Sequence, residues 1–197
     1  MLLVFVRYPE AGTTKTRLIP AVGAVAAAEI QHRMSLHTLT CAREFSHDAN
    51  IDVEVRFAGG TVEQIATLYG ADLKYRDQGA GDLGPRLARA TADAFLAGAR
   101  RVIVIGTDCP ALSVQHLRGA HDALVEADVV LGPAADGGYY LIGVREPHPE
   151  LFEGIAWSSE WVLAQTLSAA DRLGLAVQLL ETLADVDRPE DLRHVPG

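Results

Sequence analysis

Arg101-Val102-Ile103-Val104-Ile105-Gly106-Thr107-Asp108-Cys109-Pro110 is the segment on which the reading of this chain turns. Four consecutive Val and Ile residues predict a strand covered on both faces, the pattern of a parallel sheet between helix layers. The run breaks off at Gly106, and Pro110 follows with a carboxylate, Asp108, between them. Such an ending delivers a charged group to the carboxyl edge of the sheet, where open α/β sheets bind ligands.

The rest of the chain repeats the alternation. Residues 2–6 form another apolar run, too short and without the basic leader of a signal peptide, and read as the first strand. Residues 24–45 are Ala-rich and favour helix. Residues 51–57 alternate apolar and charged side chains, which predicts a half-exposed strand. Thr61-Val62-Glu63-Gln64 is a capping-box pattern opening a short helix, and residues 72–75 suggest a further strand. Leu83–Leu96 is amphipathic at helical spacing. Ser113 is placed to cap a helix over 114–126, strands follow at 129–131 and Tyr139–Val144, a helix at 160–173, a strand at 176–180 and a short helix from Pro189. Strands alternating with helices of this length imply crossover connections. The expectation is a single domain over residues 1–197, a three-layer α/β/α sandwich with a mostly parallel, mixed central sheet of Rossmann-like type.

Composition narrows the partners. A net charge of −9 repels nucleic acid and anionic membranes, so any anionic small ligand must meet a local cluster of cations or a metal. No apolar stretch approaches the ~20 residues of a membrane span, and the two cysteines, Cys41 and Cys109, read as reduced thiols. A cytoplasmic protein is expected.

Four segments that follow strands carry the chemistry. The first, residues 7–18, gathers Arg7, Lys15 and Arg17 with Gly12 and several threonines. Arg supplies a fork and Lys a point charge for phosphate oxygens, while Gly12 lets backbone N–H groups approach the same anion. The loop is not a P-loop, which needs Gly directly before the lysine where Thr14 stands. The bland alternative is a solvated basic turn.

The second segment carries Asp108, a suitable ligand for a hard cation such as Mg²⁺ or Mn²⁺, or else a simple turn cap. The third is Gly132-Pro133-Ala134-Ala135-Asp136-Gly137-Gly138, in which Asp136 is placed for an acceptor hydroxyl or the metal's water shell. An ordinary Asp-Gly turn explains it equally well. The fourth contains Asp185, Asp187 and Asp191. Asp187 is either a second metal ligand or the cap of the helix that starts at Pro189, and its two neighbours are weaker candidates. Trp157-Ser158-Ser159 either borders a pocket or packs and caps. Cys109, without a visible base partner, reads as a packing residue. The histidines form no metal-ligand spacing.

In order, FVRYPEAGTTKTRL, GDLGPRL, IGTDCPAL, GPAADGGYYLIG, IAWSS and DVDRPEDL resemble the recurring blocks of a bacterial glycosyltransferase-like subfamily. That subfamily lies within the nucleotide-diphospho-sugar transferase superfamily (GT-A fold). The resemblance spans nearly the whole chain. It implies that Lys15 and Arg17 face nucleotide phosphates and that Asp108 and Asp187 hold a divalent metal. It also implies that Asp136, Gly137 and Gly138 line the substrate pocket, with Asp108, Lys15 and Asp136 the catalytic set. The sequence departs from the subfamily at Ser159 and Arg188, where Thr is usual. Without Thr at 188, a helix-cap role for Asp187 gains weight. The implied activity is metal-dependent transfer from a nucleotide-activated donor to a small-molecule acceptor, with glycosyl transfer first and nucleotidyl transfer from an NTP next. A nucleotide-binding protein without catalysis is the third reading.

Overall fold

The computed structural model describes residues 1–195. The elements in order are β1 (Leu2–Arg7), α1 (Ile19–Val22), α2 (Ala24–Ala49), β2 (Val53–Ala58), α3 (Val62–Tyr69) and β3 (Lys74–Asp77). There follow α4 (Leu83–Leu96), β4 (Val102–Ile105), α5 (Val114–Ala123), β5 (Val129–Pro133), β6 (Tyr139–Val144), α6 (Val162–Arg172) and β7 (Val177–Leu179). Single 3₁₀ turns occupy Pro149–Phe152 and Pro189–His194. The strands form one sheet in the order β3-β2-β1-β4-β6-β5-β7. Only β6 runs against its neighbours, and every other pairing is parallel.

The uninterrupted apolar runs alternate between the two faces of this sheet. Leu2, Val4 and Val6 of β1 and Ile103 and Ile105 of β4 face Leu39 and Phe45 of α2, Ile65 of α3 and Leu117 of α5. Leu3, Val102 and Val104 face Leu87 and Ala90 of α4 and Ala169 of α6 on the other side. Two-sided covering is why β4 and residues 2–6 of β1 carry no polar residue.

The expected half-exposed strand is corrected. β2 is buried on both faces, its charged side chains included: Glu54 is 8% exposed and Arg56 4%. Arg56 reconciles charge with burial by pairing Glu54 at 2.5 Å and Asp93 of α4 at 3.0 Å. Alternation thus marked two environments, one apolar and one ionic, rather than core and solvent. Several boundaries also shift. α2 runs on to Ala49 and ends where Asn50 takes the left-handed conformation (φ 51°), β3 starts two residues later than expected, and α5 stops at Ala123. The Thr61 capping box is formed, with Thr61 and Gln64 exchanging both bonds.

A small third cluster fixes the site. Leu18, Ala27, Met34 and Val186 are buried together, joining the end of the first loop to a segment late in the chain.

Candidate active site

β1, β4, β5 and β7 all point the same way, so the segments that follow them meet along one edge of the sheet. The bridge between Ala134 and Leu183 carries the β7 side onward to the same place. These segments line a cleft of about 590 Å³. Of the residues expected from sequence, Arg7, Lys15, Arg17, Asp108, Asp136, Gly138 and Asp187 border it.

Gly12 and Gly137 do not border it. Gly12 turns the loop at φ 92°. Gly137, at φ 90°, lies so close to the Glu160 carbonyl oxygen that no Cβ fits between them. Its carbonyl accepts from Leu163 N at 2.9 Å.

The first loop is folded upon itself. Thr14, 1% exposed, donates to the Tyr8 carbonyl at 2.9 Å, and Lys15 adopts a left-handed backbone (φ 50°). That conformation sends the lysine across the cleft, where its amine meets Asp108 Oδ1 at 2.8 Å and the Val186 carbonyl at 2.6 Å. Val186 N in turn donates to the Asp108 carbonyl at 2.8 Å. Arg17 pairs with Asp187. Two cations of one loop therefore face two carboxylates drawn from the ends of β4 and β7.

Asp187 does not cap the following turn. Arg188 holds the N-cap position, and the free backbone N–H groups of Asp187 and Arg188 are taken by Asp191 Oδ2 at 3.1 and 2.7 Å. The Asp187 carboxylate is thereby left to face Arg17. Asp136 Oδ1 accepts from Gly138 N at 2.8 Å, the local turn bond anticipated for an Asp-Gly pair, and the same side chain borders the cleft.

Asp185, set aside in the sequence, also borders the cleft. Burial, and then Asp136, raise its carboxyl above the ordinary range, with Asp191 and Asp187 adding to the effect. Burial and the charges of Asp108, Asp185 and Asp136 likewise push the Cys109 thiol far up, as expected of a packing residue.

Three polar residues not singled out in the sequence also contribute, Arg86 among them from the GDLGPRL block. Gln31 is buried and donates to Thr107 Oγ1 at 2.9 Å, bracing the loop that presents Asp108. Gln78 donates to the Arg56 carbonyl at 2.9 Å and the Val6 carbonyl at 3.3 Å, closing the ends of β2 and β1. Arg86 of α4 holds Gln78 Oε1 at 3.3 Å and the Gly81 carbonyl at 2.7 Å. Opposite them, Trp157 both packs and borders: its ring lies edge-on to Tyr139 at 6.2 Å and tight against Gly84. Ser159 accepts from Trp161 N at 3.3 Å, but Trp161 itself holds the N-cap of α6 without a side-chain cap bond, so the expected cap is not formed, and Ser158 and Ser159 border the cleft.

Among the described residues, no three His, Cys, Asp or Glu side chains are grouped to hold a metal by themselves. Mg²⁺ needs no such group, because it is held by one or two carboxylates together with ligand phosphates and water. The donor set of Asp108 and Asp187, with cations alongside for the phosphates, fits that mode.

A mixed, mostly parallel sheet whose strand ends carry this charged cleft matches the nucleotide-diphospho-sugar transferase superfamily (GT-A fold). Within it, the chain belongs to the family described as "Uncharacterized protein conserved in bacteria (DUF2064)", whose profile matches residues 41–159. A crystal structure from Desulfovibrio desulfuricans G20, provisionally named a nucleotide-diphospho-sugar transferase, is 34% identical at a TM-score of 0.87, covering 97% of this chain and 83% of that one. A phosphoenolpyruvate guanylyltransferase of Chloroflexus aggregans (strain MD-66 / DSM 9485) is 27% identical over 185 residues, 91% of this chain and 89% of the relative. Rv0371c of Mycobacterium tuberculosis H37Rv, solved with manganese, shares the fold at a TM-score of 0.57 and 17% identity, covering 98% and 96% of the two chains.

Proposed function

We propose that this protein is a metal-dependent transferase that acts on a nucleotide-activated donor, and that nucleotidyl transfer is its reaction. The observation that carries the proposal is the facing of Lys15 and Arg17 by Asp108 and Asp187 across one cleft. A basic loop directly after the first strand suits an enzyme whose leaving group is pyrophosphate, because the loop's cations offset charge that grows as the bond breaks. The relationship to a guanylyltransferase over nearly the full length supports the same order.

In this reading Arg17 and Arg7 orient the phosphates, and Asp108 and Asp187 would hold Mg²⁺ or Mn²⁺. The ion, when bound, supplies Lewis-acid neutralisation of phosphate charge. Asp136 orients the acceptor, whose oxygen bonds to the α-phosphorus as the bond from that phosphorus to pyrophosphate breaks. The walls bring donor and acceptor into line, which alone removes much of the barrier. The setting is cytoplasmic, a reading supported by two buried free thiols. Among the described residues, no helix is long and apolar enough to cross a membrane.

Glycosyl transfer is the second reading, favoured by the name of the Desulfovibrio relative. The products separate the two. Protein incubated with Mg²⁺, a panel of acceptors and either the four NTPs or UDP- and GDP-sugars is assayed for released pyrophosphate and nucleoside diphosphate. Pyrophosphate from an NTP is the expected result. Nucleoside diphosphate from a nucleotide sugar, without pyrophosphate from any NTP, replaces the first reading with the second.

A further inference from the structure

We infer that Arg86 is the residue that selects the donor's base, and that the base it selects is guanine. The inference rests on the nucleotidyl reading above and narrows its donor to a guanosine nucleotide.

The cleft has two kinds of wall. One is charged, where the loop cations Lys15 and Arg17 meet Asp108 and Asp187. The other is apolar and belongs to the α4 side of the sheet. Phe5, Leu87, Val104 and Trp157 pack together there and border the cleft. A flat ring can lie against such a wall, and Trp157 offers it an aromatic face. Lys15 and Arg17 serve phosphates, which leaves the apolar wall for the rest of the donor.

From β3 through α4, the polar side chains that border the cleft are Gln78 and Arg86. Gln78 is spent on the fold. Its amide nitrogen donates to the Arg56 and Val6 carbonyls at 2.9 and 3.3 Å, and its oxygen accepts from Arg86 Nη1 at 3.3 Å. Arg86 is not spent. Its Nε donates to the Gly81 carbonyl at 2.7 Å, neither of its partners is a carboxylate, and its Nη2 donates to no other group among the described residues. Two bonds thus fix the guanidinium, and N–H groups remain for a ligand.

A guanidinium has donors and no acceptor, so the edge that it reads must present acceptors. Guanine presents two side by side, O6 and N7. Adenine sets an amino donor beside its N7, cytosine presents an amino donor, and a uracil ring offers O4 alone. Because Gln78 has no free acceptor, no side chain of this wall rewards an amino group. Adenine and cytosine therefore leave the fork unmatched.

The test is calorimetry with Mg²⁺ and each of the four NTPs, ITP and 7-deaza-GTP, on the wild type, Arg86→Lys and Arg86→Met. In the wild type GTP should bind about tenfold or more tighter than ATP, CTP or UTP. ITP, which keeps O6 and N7, should follow GTP, and 7-deaza-GTP, which lacks N7, should bind severalfold more weakly. These arms need no variant. Arg86→Lys keeps the charge without the fork, so GTP should fall to the affinity of ATP while ATP stays within about threefold of wild type. Arg86→Met should lose the preference as well. A merely structural role would weaken all nucleotides alike and leave the preference in place. If another NTP or 7-deaza-GTP binds the wild type as tightly as GTP, or the variants keep the preference, the assignment of Arg86 is overturned and the transferase reading stands. If the wild type binds no NTP even with Mg²⁺, the nucleotidyl reading falls and takes this one with it.

Discussion

Asp108 and Asp185 show how two carboxylates at one edge of a sheet acquire different characters. Asp108 is 58% exposed and leans on a buried lysine, so one of its oxygens remains open to the cleft. Asp108→Asn keeps an acceptor for Lys15 but removes the charge. It should lower kcat by roughly 10²-fold or more, the scale of losing one key electrostatic stabiliser. Turnover within about threefold of wild type, in a protein with unchanged thermal melting, removes Asp108 from the reaction. Asp185 has no basic partner among its influences, and burial with Asp136 raises its carboxyl. A carboxyl raised on folding destabilises the folded protein once pH exceeds its unfolded value near 3.9, and the full penalty is present above the raised folded value. Asp185→Asn should therefore raise the melting temperature at pH 7 to 8, with the gain shrinking as pH falls toward 4. A gain that is constant across that range contradicts the assignment.

At the scale of elements, the buried side chain Arg56 pairs with Glu54 within β2 and binds β2 to α4 through Asp93. Breaking a buried pair by removing one partner typically costs about 3–5 kcal/mol, and without Arg56 only the exposed Arg76 remains beside Glu54 at 3.7 Å and Asp93 at 3.2 Å. Arg56→Met should destabilise by that order in urea unfolding, and the double variant Glu54→Leu/Arg56→Met should recover most of the loss. If the double variant is as unstable as the single one, packing rather than charge carries the interaction. The same strand shows what sequence patterning conveys. Continuous apolar runs identified β1 and β4 because both of their faces meet helices. β2 alternates, and alternation alone cannot distinguish solvent from a buried ionic layer, since the partner Asp93 lies on another element. Helix starts were more legible than helix ends: the Thr61 box was read directly, whereas α2 runs past Phe45 to the left-handed Asn50, a local stop signal that went unread.

At the scale of the whole molecule, the architecture followed from alternation, and the site followed from asking what comes after each buried strand. That procedure found Asp108, Asp136 and Asp187 because each sits just beyond a strand or in a turn. It ranked Asp185 below Asp187, and only the fold shows that Asp185 also borders the cleft while Asp191 takes the turn N–H groups. Gln31 and Gln78 carry no signal in the sequence, since their value lies in which carbonyl or hydroxyl they reach across the fold. Gly137 read as a contact because a positive φ serves ligands and crowded backbones alike.

The strut from Lys15 to Asp108 and Val186 joins a loop to a segment 171 residues further along the chain. A chain still growing on the ribosome can pair β1 with β4 once both have emerged, yet it holds Lys15 without the Val186 carbonyl and Arg17 without Asp187. The cleft is therefore assembled only after residues 186 and 187 have been made, and until then the basic loop is without the acidic segment that completes it.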